Sequence, residues 1–233
     1  MGTFLLVHGA CHGGWCWRKV NRILRDKGHE VFSPTLTGLG ERTHLITPST
    51  NLNTHIEDIN NVMFYEDLDQ VVLVGHSYAG MVITGVANNR PERVRHLVYL
   101  DADTPEDGQS LSDLYPARMK EIINTAKQRG DHVLMPPIGE TPYGVSKRVD
   151  LEWFVPRLVP HPIGNRALTT KISFSNSIAR EIPKNFIKCT MNADQDAQRN
   201  YEERGFVYRE LQTGHDAMIT APQEVADILL ECI

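Results

Sequence analysis

Ser77 lies in Gly75-His76-Ser77-Tyr78-Ala79-Gly80, directly after the apolar run Val71-Val72-Leu73-Val74. A serine hydroxyl is a weak nucleophile unless a base takes its proton. It must also project clear of the backbone, and a strand, a tight turn and a helix achieve that. The geometry demands small residues two before and two after the serine, where side chains would strike the adjoining strand and helix. Gly75 meets this, and Ala79 stands where glycine is usual. The helix N-terminus behind Ser77 favours developing negative charge. The expected base is His215, in Leu211-Gln212-Thr213-Gly214-His215-Asp216. It follows the last expected strand and precedes the final helix, at the same carboxyl edge of the sheet as Ser77. His8 and His76 flank the site as supports, and His12, His44 and His55 are read as surface or pocket residues.

An acyl-transfer site also needs donors for the oxyanion. Val7-His8-Gly9-Ala10 ends the first strand in a glycine turn whose backbone N–H groups can face a ligand. The expected donors are the N–H groups of Ala10 and of Tyr78, the residue after the nucleophile. The stretch from His8 to Gly14 has neither the Lys-Ser/Thr of a phosphate loop nor a G-x-G-x-x-G pattern, which argues against nucleotide binding.

The elements that must position these residues alternate between strand and helix, the signature of a parallel α/β sheet. Strands are expected at Thr3–Val7, Glu30–Phe32, Val71–Val74, Leu97–Leu100, Phe186–Thr190 and Phe206–Leu211. Helices are expected at about 15–27, 53–66, 78–90, 195–204 and 222–232. From about 103 to 184 the rhythm lapses into proline-rich, weakly helical sequence, read as a small helical cap inserted before the last two strands of a single domain spanning 1–233.

The chain has 233 residues and a formal charge of −5, which suits one soluble domain and offers no basic footprint for nucleic acid. No apolar run reaches the roughly 18 residues of a membrane span. The first strand begins almost at once, so a signal peptide is not expected and the chain is read as cytoplasmic. Cys11, Cys16, Cys189 and Cys232 fit no zinc spacing and are read as buried small hydrophobes. Neither metal nor cofactor is expected.

Val7-His8-Gly9-Ala10-Cys11-His12-Gly13-Gly14-Trp15, Pro34-Thr35-Leu36-Thr37-Gly38, Gly75-His76-Ser77 and Thr213-Gly214-His215-Asp216 together resemble the α/β-hydrolase superfamily. Within it the chain is similar to small bacterial esterase-like hydrolases related to plant methyl esterases and hydroxynitrile lyases. The resemblance covers nearly the whole chain and is weakest in the cap. It implies an α/β-hydrolase fold, a mostly parallel central sheet flanked by helices. It also implies hydrolysis of a small-molecule carboxylic ester through an acyl-enzyme. Trp15, Tyr78, Trp153, Phe154 and Met218 are candidate pocket walls, with Trp15, Trp153 and Met218 taken as substrate-binding. A homodimer is left open.

The resemblance leaves the third member of the triad in question. The usual acid follows the strand that here ends near Thr190, and the best register puts Asn192 in its place. An amide can orient an imidazole but stabilises imidazolium poorly. Some dehalogenases of the superfamily carry the acid one strand over from the nucleophile. Here that strand end reads Tyr99-Leu100-Asp101-Ala102. A carboxylate at a strand end is better preorganised than one in a loop, so Asp101 is the expected acid, with Asp194 and Asp196 as alternatives. Two rival functions remain. Hydroxynitrile lyases resembling this chain have a threonine in the oxyanion turn and a lysine after the catalytic histidine, where this chain has Ala10 and Asp216. A non-catalytic small-molecule-binding protein on the same fold would leave Ser77 inert.

Overall fold

The computed structural model describes residues 1–130, 133–136, 140–162, 168–192 and 200–233. Among them six strands form one sheet: β1 (Thr3–Val7), β2 (Glu30–Phe32), β3 (Val71–His76), β4 (Val94–Leu100), β7 (Lys184–Cys189) and β8 (Phe206–Leu211). Their order is β2-β1-β3-β4-β7-β8, and every pairing is parallel. All carboxyl ends therefore open on one edge. The expected strands agree with these within three residues.

The helices α1 (Arg18–Asp26), α2 (Leu52–Tyr65), α3 (Ala79–Asn89) and α9 (Pro222–Leu230) cover the two faces of the sheet. The period of two along the strands sorts the core into two layers. Leu5, Val7, Val71 and Leu73 pack with α2 and α3 on one face. Phe4, Leu6, Val72 and Val74 pack with α1 and α9 on the other. The β3 strand is buried on both faces, which its unbroken apolar run requires. Local signals fix the helix ends. The Asn51 side chain accepts from the N–H groups of Asn53 and Thr54 to start α2, and Gly28, at φ 84°, follows α1.

Between β4 and β7 lie α4 (Leu111–Leu114), α5 (Pro116–Arg129), α6 (Arg148–Phe154) and α7 (Ser177–Glu181). The same stretch holds a two-stranded antiparallel pair, β5 (Val133–Leu134) and β6 (His161–Pro162), which period and composition did not reveal. Two residues per strand are too few to show alternation. A short α8 (Ala217–Thr220) precedes α9. The helix expected at 195–204 lies largely outside the described residues, and 201–205 form turns.

Three glycines let backbone segments meet at the sheet edge. A Cβ on Gly75 would stand 2.7 Å from the Ala79 carbonyl oxygen. One on Gly80 would stand 1.9 Å from the Asp103 carbonyl oxygen, so the start of α3 packs directly on the chain leaving β4. One on Gly214 would stand 2.6 Å from the Gly144 Cα. Gly80→Ala is expected to destabilise the fold by about 1–3 kcal/mol, because its obstacle is backbone and cannot rotate away. Urea unfolding of the variant measures this, and an unchanged midpoint would contradict the close approach.

Candidate active site

Along Val71–Gly80 every residue is buried except Ser77. Its φ of 54° is the left-handed region that non-glycine residues rarely adopt, and it marks the sharp turn between β3 and α3. The turn is anchored to the next strand. Ser77 N–H donates to the Leu100 carbonyl at 3.3 Å, and Asp103 N–H donates to the Ser77 carbonyl at 3.0 Å. Gly9 comes so close that a Cβ there would lie 2.9 Å from Ser77 Cβ.

Asp101, the first residue beyond β4, also has a left-handed φ, 43°. Its N–H donates to the Ile187 carbonyl at 2.7 Å. The side chain is fully buried, and Oδ2 lies 2.6 Å from His215 Nδ1. The same oxygen accepts from the Asn192 side-chain amide at 2.7 Å, and Oδ1 accepts from the Cys189 N–H at 3.2 Å. Lys188 Nζ stands 3.5 Å from Oδ1. Burial alone would raise this carboxyl's pKa. The bond and charge of His215, the Asn192 amide and the Lys188 ammonium outweigh burial and hold it below the ordinary carboxylate value. Asn192, expected from the register at the usual acid position, thus donates to the carboxylate that contacts the imidazole. Asp194 and Asp196 lie outside the described residues.

His215 sits between β8 and α8, with its ring 6.0 Å from Tyr143 and 4.5 Å from His76. Its backbone carbonyl is 3.0 Å from His76 Nε2. Ser77 and His215 line the same cavity without a direct hydrogen bond between them, and contacts of this kind commonly tighten when substrate binds. The N–H groups of Ala10 and Tyr78 donate to no acceptor among the described residues, and both residues line the cavity.

The other histidines correct their sequence reading in part. His12 is fully buried, so it is no surface residue, and it lines neither the cavity of Ser77 nor the groove of Trp15. Its Nε2 is 2.9 Å from Asp216 Oδ2 and its Nδ1 is 2.6 Å from the Ala10 carbonyl. Burial opposes charge on both partners, yet their attraction raises the His12 pKa and lowers that of Asp216. This ion pair ties the turn bearing Ala10 to the residue after His215. His55 is also buried. Its Nδ1 accepts from the Tyr78 hydroxyl at 2.8 Å, and Nε2–H donates to the Thr37 carbonyl at 3.0 Å. His44 is exposed. His8 accepts from Leu36 N–H through Nε2 and donates from Nδ1 to the Gly9 carbonyl. Burial pushes the pKa values of His8 and His76 down to about 3.

The cavity measures about 550 Å³, and its apolar walls include Leu111, Met119, Ile122, Leu134 and Leu168. Trp15, Trp153 and Met218, expected as substrate-binding, are not among its lining residues. The helical turn starting at Gly14 carries Trp15 away from Ser77 to meet Trp153 edge-on, ring centroids 5.3 Å apart. Both indoles line a separate open groove of about 670 Å³ that contains neither Ser77 nor His215. Met218, in α8, is fully buried with Val225 and Leu229 under the opposite sheet face. Phe154 is likewise core. Helical spacing could not separate these roles, because a cap and a core bury the same side chains. Among the described residues, His76, His215 and Asp216 come nearest to a metal-ligand set. Their side chains are engaged instead with the His215 carbonyl, Asp101 and His12 respectively.

The profile of the alpha/beta hydrolase family matches residues 4–228. The chain belongs to that family. A carbendazim hydrolyzing esterase of Nocardioides sp. (strain SG-4G) is 36% identical over 247 residues, covering 98% of each chain. Methylesterase 3 of Arabidopsis thaliana is 28% identical, over 97% of this chain and 94% of its own. At the level of reaction class the protein is a carboxylic ester hydrolase. The fold alone is matched by an extracellular alpha/beta-hydrolase from a Paenibacillus species. That structure has a TM-score of 0.85 at 23% identity and covers 100% of this chain and 99% of its own. No helix among the described residues is long and apolar enough to cross a membrane.

Two outcomes follow from this geometry. Asp101→Asn should lower kcat by about 10⁴-fold, because an amide favours the wrong imidazole tautomer. Asp194→Asn and Asp196→Asn should change it little, and ester turnover by the three variants decides. Stability should fall as pH drops from about 6.5 towards 3. There the unfolded chain binds protons that folded His8 and His76 do not. His12 works in the opposite direction. Its raised pKa adds stability below about 6.5 that is lost as pH rises through the folded value. The urea midpoint should therefore peak close to neutrality, and a flat profile from pH 8 to 4 contradicts this.

Proposed function

We propose that this chain is a serine hydrolase that cleaves a small to medium carboxylic ester through an acyl-enzyme intermediate. The observation that carries the reading is the 2.6 Å contact between Asp101 Oδ2 and His215 Nδ1, at the margin of a cavity that also holds Ser77. That contact keeps the proton on Nδ1 and leaves Nε2 unprotonated as a base. Ser77 Oγ attacks the ester carbonyl while His215 takes its proton. The carbonyl oxygen becomes an oxyanion held by the N–H groups of Ala10 and Tyr78, and losing one such donor costs about 3 kcal/mol of barrier. His215 then gives its proton to the leaving alcohol as the ester C–O bond breaks. Water, deprotonated by His215, attacks the acyl-enzyme and releases the acid and free Ser77. Throughout, Asp101 stabilises the imidazolium.

The cavity volume suits a modest acyl group against apolar walls. The relatives named as methylesterases favour a small leaving alcohol, and the Nocardioides relative makes carbendazim a first compound to assay. A fluorophosphonate should label Ser77, and Ser77→Ala should abolish labelling and lower kcat by about 10⁶-fold on p-nitrophenyl and methyl esters. Turnover that persists in Ser77→Ala overturns the covalent mechanism. An unlabelled native protein without ester turnover favours the binding-protein reading.

A further inference from the structure

Among the described residues, several polar side chains beside the cavity have partners. His55 is held by Tyr78 and Thr37, His8 by Leu36 and Gly9, and Tyr78 by His55. His161 lines the cavity, is only 2% exposed, and has an enclosed Nδ1 with no partner. Its Nε2 makes no hydrogen bond among the described residues either. An imidazole buried without a hydrogen bond costs stability, and such a group calls for an explanation. Phenylalanine would fill the same space against Tyr78 without that cost.

The position of His161 restricts what it can meet. It lies in β6, opposite Leu134 of β5. Its ring stands edge-on to Tyr78 with centroids 4.6 Å apart, and lies 5.8 Å from His55. The thiol of Cys11, the residue after Ala10, donates to the carbonyl of Leu134, the residue paired with His161. His161 therefore touches Tyr78, shares the cavity with Ala10, and sits on the strand pair that meets the residue after Ala10. His215 has other ring neighbours, His76 and Tyr143. In the proposed reaction the alcohol leaves beside His215, so a substrate atom at His161 belongs to the acyl part, close to the ester carbonyl. Burial first, then the nearby imidazoles of His55, His8 and His12, keep His161 uncharged. A neutral ring gives an anionic substituent no countercharge. Nδ1 is enclosed, so a ligand meets the ring through Nε2; a hydroxyl can donate to a bare Nε2 or accept from a protonated one, so it suits either tautomer.

We propose that His161 is a specificity-determining residue that hydrogen-bonds a hydroxyl on the acyl part of the ester, near its carbonyl, and so selects hydroxyacyl esters over their deoxy counterparts. This rests on the serine-esterase reading above and names the substrate class of the same site.

The test uses two ester pairs, methyl mandelate with methyl phenylacetate and methyl 3-hydroxy-3-phenylpropanoate with methyl 3-phenylpropanoate. Each kcat/KM is divided by the rate of alkaline hydrolysis, which removes the intrinsic effect of the hydroxyl. The native protein should prefer the hydroxylated member of at least one pair by about tenfold, the scale of one hydrogen bond. His161→Phe should bring that ratio close to one, and His161→Gln, which keeps a polar edge, should restore part of it. A native ratio near one for both pairs, or a ratio unchanged in His161→Phe, overturns the proposal. Should His161→Phe fail to fold, the native and His161→Gln ratios decide. Calorimetric binding of the same pairs to Ser77→Ala reads the preference without turnover, whereas fluorophosphonate labelling reports on Ser77 alone. A preference in binding with no labelling therefore removes the hydrolase reading and leaves His161 in its role. Labelling with no preference does the reverse.

Discussion

The site depends on one buried ionic hydrogen bond, that between Asp101 and His215. A carboxylate with no solvent exposure is costly to bury, and the surrounding structure is arranged to offset that cost. The Cys189 N–H and the Asn192 amide donate to it, Lys188 adds a positive charge, and the imidazole completes the set. These groups come from the end of β7, the loop after it and the turn after β8. The fold must therefore bring three separate parts of the chain to one strand end before the carboxylate is tolerable.

A parallel sheet makes this gathering inexpensive in chain length. Every strand of the described sheet ends on the same edge, so Ala10, Ser77, Asp101, Asn192 and His215 each follow a different strand by a few residues. Fine placement then falls to close backbone contacts. Gly75 and Gly80 allow the tight turn around Ser77, and Gly214 against Gly144 presses the insertion onto the His215 turn. The buried His12–Asp216 pair adds a second tie, fastening the Ala10 turn to that same segment.

Much of this framework was legible along the chain. The inner strands were readable because buried parallel strands are short apolar runs with turn residues on either side, as in Val71–Val74. Ser77 and His215 stood out because their local sequence carries the turn chemistry that a projecting side chain needs. The insertion between β4 and β7 was readable only as a change of rhythm. Of the expected pocket walls Tyr78 lines the cavity, whereas Trp15 and Trp153 pack on each other in a separate groove and Met218 belongs to the core. Leu111, Met119 and Leu168 line the cavity instead, and nothing in their spacing distinguishes them from other cap leucines and methionines.

By itself the sequence determined the α/β class, the strand ends and the serine and histidine that flank the cavity, because each is encoded within a window of a few residues. Only the tertiary structure decided which groups Asp101 meets, that Asn192 donates to that carboxylate, and that His12 and His161 are buried with different surroundings. Those outcomes turn on contacts between residues far apart in sequence, such as His12 with Asp216, 204 positions away, and His215 with Asp101, 114 positions away. A local pattern carries no information about partners at that separation. The packing of the sheet supplies it.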